Sequence, residues 1–236
     1  FEKKGDMLAA RDSYRAASAV QTRVDDTDTA IARRLARERL AALASVAPAN
    51  TAGDADTCRN TTVEAAVRLA ACESVIADDK APSRSRAYAF WFRGDMLMRR
   101  RDYDKALAAF DAAHAADPDN VAYINNRGIA YANKGDDDHA LADYEACLRI
   151  RPSYAPAYNN RGLILMRRGD FSRALDAFNA AVKYAADGSA RYIHLYNRAR
   201  AETLLGQYDA ALADFAEAEQ ANPAGPQVPA YRCATY

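Results

Sequence analysis

Bulky residues in the middle of the chain fall at a helical spacing. Phe90, Gly94 and Leu97 lie at i, i+4 and i+7, and Tyr158, Gly162 and Leu165 repeat the arrangement. A period near 3.6 puts each set on one face of a helix, with the glycine leaving room for a neighbour. A second signature follows: Ala106 and Phe110, Ala140 and Tyr144, Ala174 and Phe178, Ala211 and Phe215 are each a small residue and an aromatic four apart. The small residue makes room and the ring fills the adjacent layer. Between the two signatures stand Gly135-Asp136 and Gly169-Asp170, where glycine suits the end of one helix and aspartate caps the next. Arg101-Asp102 keeps the aspartate without the glycine. Pro118, Pro152 and Pro223 stop the second helix of a pair.

The pairs recur on a fixed period. Gly128 − Gly94, Ala140 − Ala106, Tyr144 − Phe110 and Pro152 − Pro118 all equal 34. Such a period marks a stacked array of helix hairpins. The residues resemble the tetratricopeptide repeat family in its bacterial form: an aromatic, a glycine, a second bulky residue, then alanine-x-x-x-aromatic, then proline. The third unit carries Ala186 in place of proline, and the fourth carries Leu195 and Ala199. Ala211 − Ala174 is 37, so three residues are inserted near Asp187-Gly188-Ser189, which predicts a longer turn there. The resemblance implies an all-α solenoid of antiparallel hairpins in a right-handed superhelix.

The expected organisation is a degenerate helical segment over 1–50, a loop and degenerate helix over 51–86, an array over 87–223 and a tail over 224–236. The array divides as 87–120, 121–154, 155–188 and 192–225. Gly5-Asp6 and Ala10-x-x-x-Tyr14 look like half a repeat, so Phe1 reads as the end of a first helix, after a removed leader or inside a longer array. Asp28 caps a helix candidate over 25–46 whose Arg33, Arg34, Arg37 and Arg39 make it locally basic, and Pro48 ends it. Ala49 to Asn60 reads as an exposed loop and hinge, Thr61 or Thr62 as the next helix start, and 78–85 as a second turn. The tail after Pro223 shows no capping helix, which leaves the last unit's face for another molecule or for the tail itself.

Charge narrows the partners. Lysine plus arginine and aspartate plus glutamate both number 32, so the basic excess of a nucleic-acid binder is missing. No apolar run approaches a membrane span. Of the four cysteines, Cys147 reads as a packed thiol, and Cys233 lies in the tail. Cys58 and Cys72 fit either a disulfide, which tilts the expected setting toward a bacterial periplasm rather than a cytoplasm, or two free thiols. Cysteine and histidine spacings support no metal, no phosphate loop is present, and no nucleophile–base arrangement appears. The expectation is no enzyme and no cofactor.

Candidate binding chemistry sits on the first helix of each pair, the wall that lines the groove in the resembled family. The expected groove stripe holds Tyr88, Trp91, Asp95 and Met98, then Ala122, Asn125, Ile129 and Ala132. It continues with Pro156, Asn159, Leu163 and Met166, and ends with Ile193, Tyr196, Arg200 and Thr203. A carboxamide both donates and accepts, so Asn125 and Asn159 can bracket an extended backbone, with Tyr88 and Trp91 as anchors. Asn126 and Asn160 lie at the stripe's edge, where a bond to the neighbouring helix is the simpler role. Arg93, Arg127, Arg161 and Arg198 precede the glycine or its substitute in each unit. They fit a ladder of ion pairs with Asp143 or Asp214, or capture of a carboxylate or phosphate. Two functions follow from the resemblance: a scaffold that docks a protein or peptide segment, or a homo-oligomer stacked through its ends.

Overall fold

The computed structural model describes residues 51–186 and 188–222. The expectations for 1–50, for Asp187, for Pro223 and the tail, and for Cys233 lie outside those residues. Ten helices are described: α1 (Thr51–Arg59), α2 (Ala65–Ala77), α3 (Ser83–Arg99), α4 (Tyr103–Ala116), α5 (Val121–Lys134), α6 (Asp137–Ile150), α7 (Ala155–Arg167), α8 (Phe171–Tyr184), α9 (Ser189–Leu204) and α10 (Tyr208–Ala221). Among the described residues the structure is all-α, as the resemblance implies. The chain divides between Arg93 and Gly94, within α3, into two compact units.

In the first unit the expected loop is helical. Residues Thr51–Arg59 form α1, and Cys58 is bonded to Cys72 of α2 with S–S 2.05 Å. Both cysteines are buried, as is Val75. Local sequence misled here because alanine, threonine and aspartate suit a polar loop, while the helix is held by what it packs against and by its covalent link. The next helix starts later than expected, at Ala65, and Val67 of its first turn is exposed.

The second unit is built from helix pairs. Each helix packs on its sequence neighbours, and the first helices of successive pairs also touch, α5 with α7 and α7 with α9. The glycine–aromatic pairing sets the spacing inside a pair. A methyl on Gly94 would lie 2.5 Å from the Phe110 ring, one on Gly128 2.6 Å from Tyr144, and one on Gly162 2.6 Å from Phe178. Phe110, Tyr144, Phe178 and Phe215 are all fully buried. Asp136 and Asp170 accept from the backbone N–H of His139 and Arg173, which caps α6 and α8. Gly135 ends α5 with φ 91°, whereas Arg101 takes φ 59° at the matching bend, a conformation that costs a side-chain-bearing residue about 1 kcal/mol.

The three inserted residues do not lengthen the turn. Four residues separate α8 from α9, as they separate α4 from α5 and α6 from α7. The insertion instead extends the start of α9, which has 16 residues against 14 in α5 and 13 in α7. Continuing a helix adds a backbone hydrogen bond per residue, which a longer loop does not.

Candidate functional site

Two rows of polar side chains join the helix pairs. The first runs through carboxamides. Asn160 donates Nδ2–H to Asn125 Oδ1 at 3.0 Å, and Asn197 donates to Asn159 Oδ1 at 2.9 Å. Asn125, Asn159 and Asn197 are 5%, 7% and 6% exposed, so these bonds are inside the protein. The acceptor position, three residues before the glycine, therefore faces the next helix pair rather than a groove. This corrects the reading of Asn125 and Asn159 as backbone clamps, since their oxygens are already engaged. The signal for Asn197 was present: Asn126-Arg127, Asn160-Arg161 and Asn197-Arg198 repeat one dipeptide in three consecutive pairs.

Tyr196 shares the acceptor's position and is likewise inside. It lies 7% exposed in a cluster with Tyr192 and Phe215, its ring 6.2 Å and 6.0 Å from theirs. Its expected groove role is replaced by a core one, since the aromatic at this position meets the neighbouring layer. Asp95 accepts from Arg99 Nε at 3.0 Å, one turn along the same helix. Tyr88 and Trp91 belong to the first unit. Their rings stand 5.2 Å apart, and Arg68 donates to Tyr88 Oη at 3.0 Å. The Trp91 indole N–H is enclosed without a hydrogen-bond partner among the described residues.

The second row is ionic. Arg127 grips Asp143 with two bonds of 2.8 and 2.5 Å and reaches back to Asp111 at 2.6 Å. Arg198 grips Asp214 with bonds of 2.5 and 2.6 Å and donates to Asn179 at 3.3 Å. Asp143 and Asp214 are buried, and the bonds they accept raise both arginine pKa values further, against the opposing effect of burial. Arg93 meets Glu73 at 3.5 Å within the first unit. Arg161 makes no hydrogen bond or ion pair with a described residue; its guanidinium stands 5.3 Å from the Tyr158 ring.

Sequence reasoning missed two features. The basic residues ending the first helices form ion pairs: Lys134 bonds Asp104 at 2.6 Å, Arg167 bonds Asp137, and Arg168 bonds Asp138 at 2.7 Å. Each basic residue ties a first helix to the second helix of the preceding pair. The other feature is Glu202, which takes the place held by Leu97, Tyr131 and Leu165 in the earlier pairs. It is buried with Oε2 unpartnered among the described residues, and burial, reinforced by Asp214, pushes its carboxyl up to about 7.

The most exposed large side chains along the expected stripe are apolar, with Asp95, Arg200 and Thr203 partly exposed beside them. Leu163 is 38% and Ile193 47% exposed, and Ile129 and Met166 are partly exposed. Among the described residues, no His, Cys, Asp and Glu cluster is placed to hold a metal, and no helix is long and apolar enough to cross a membrane.

The tetratricopeptide repeat family profile matches residues 64–121, 93–155 and 159–226. The chain belongs to the tetratricopeptide repeat family, whose members are in general protein-interaction scaffolds. Solved structures share the fold at low identity. One, described through a functional characterization of pilF from Pseudomonas aeruginosa, is 15% identical with TM-score 0.62, covering 97% of this chain and 99% of that one. A tetratricopeptide repeat protein of Parabacteroides merdae is 17% identical with TM-score 0.61, over 79% and 72% of the two chains. A thermophilic protein of the family from Thermus thermophilus is 18% identical with TM-score 0.58, over 72% and 90%. No curated protein matches the sequence.

Proposed function

We propose that the chain is a non-enzymatic docking scaffold, and that the first helices of the second unit receive an extended protein segment. The observation that carries this reading is the exposed apolar stripe. Leu163 and Ile193 stay open to solvent although each neighbours an asparagine row that is closed off inside. Side chains in successive helix pairs thus offer separate apolar contacts to one extended chain, and covering apolar surface is favourable in proportion to the area removed from water. The asparagine row fixes the distance between contacts and leaves binding to the stripe.

The test is a peptide-array screen followed by calorimetry on the full chain. The Leu163→Glu, Ile193→Glu double variant should weaken a selected binder at least about tenfold, the cost of losing and charging two apolar contacts. Circular dichroism should show the same helix content. Equal affinity in the folded variant would remove the stripe from the binding surface.

A further inference from the structure

Arg161 is the arginine of the ionic row that bonds no acid among the described residues, whereas Arg93, with Ala109 16 residues later, meets Glu73 instead. Arg127 and Arg198 each find an aspartate 16 residues later, Asp143 and Asp214. The residue at that distance from Arg161 is Ala177, fully buried. The exposed Glu145 stands where Asp111 stands against Arg127, but it makes no ion pair with Arg161. The Arg161 Nε is enclosed and has no hydrogen-bond partner among the described residues, which is costly for a cationic donor. A pocket of about 230 Å³ opens beside it, lined by Arg161, Leu165, Arg173 and Asp176.

We propose that this pocket takes the carboxylate of an acidic side chain from another protein, received by the Arg161 fork in place of the missing aspartate. The sibling pairs show the preferred ligand: a planar carboxylate accepting two parallel N–H bonds from the same helix position. Leu165 offers the acid's methylene stem an apolar wall. Arg173 is held by Asp170 at 3.2 Å and stands at the rim as a second cation. Asp176, also in the lining, disfavours a dianionic phosphate by like-charge repulsion. The site uses none of the apolar stripe residues, so it stands or falls apart from the scaffold reading.

The experiment follows arginine Nε–H resonances of the full chain by NMR, with Arg161 assigned through Arg161→Lys. The probe is N-acetylglutamate α-amide, titrated against chloride and inorganic phosphate at matched ionic strength. The Arg161 resonance should shift saturably with the probe and drift without saturating in chloride. Ala177→Asp, which restores the sibling arrangement, should abolish the response in a protein with unchanged helix content. Should that variant not fold, Arg161→Gln must abolish saturable probe binding measured by calorimetry. Three results would overturn the proposal: no saturation, saturation that survives the variant used, or tighter saturation by phosphate. A response that appears only after Glu145→Gln would do so too, by showing that the arginine's acid is internal.

Discussion

Glu202 is a carboxyl where the repeat calls for a bulky apolar group, and its titration follows from that displacement. Burial raises its folded pKa from 4.5 to about 7. Between those values the native state holds a proton that the unfolded state has released. Unfolding therefore releases the proton, and stability falls as pH rises through the window. Above pH 7 both states are ionised and the decline ends. Glu202→Gln should flatten this slope and stabilise the chain at pH 8 by on the order of 1–2 kcal/mol. Urea titrations at pH 4.5, 6 and 8 check it, and an unchanged slope in the variant would assign the pH dependence to other groups. Arg161 teaches a related lesson at the same scale: its identity matches its siblings, and Arg93 and Arg161 both have an alanine 16 positions later, but only Arg93 meets an acid, Glu73 of an earlier helix.

At the scale of the element, the two asparagine bonds act as rungs between first helices. Removing one donor leaves a buried oxygen unsatisfied, which costs about 1–3 kcal/mol. Asn160→Ala should therefore destabilise by about that amount. The Asn125→Ala, Asn160→Ala pair should cost less than the sum of its members by about 1 kcal/mol. A denaturation double-mutant cycle measures the coupling, and strict additivity would mean the 3.0 Å bond contributes no pairwise stability. Much at this scale was legible in the sequence. The glycine and aromatic four-residue signatures placed the helix pairs because both report on direct packing within a pair. The roles of Asn125 and Asn159 were not legible, because a rotation of one position about a helix axis separates a seam from a groove and a carboxamide suits either. The insertion near Gly188 was visible, but its absorption into α9 was not, since Ser189-Ala190-Arg191 can extend a helix or fill a turn. The expected loop before Asn60 failed for a related reason: α1 depends on a partner 14 residues away in sequence, beyond any local propensity.

For the molecule as a whole, the second unit is bound by a recurring set of neighbour-to-neighbour links: rings under glycines, carboxamides between first helices, and basic side chains reaching back to the preceding pair. The rings act within a pair and the other links join adjacent pairs only, so stability accumulates pair by pair, as it does in solenoids generally. The first unit is held differently, by a covalent bridge. Cys58 and Cys72 are 1% and 0% exposed, so a thiol reagent cannot reach the sulfurs while α1 and α2 are closed together. The bridge therefore acts as a timer: its cleavage in excess dithiothreitol should proceed at a rate that levels off with reagent concentration, because the wait is for the helices to part and not for a collision. A rate that climbs in proportion to reagent throughout would mean the sulfurs are already within reach.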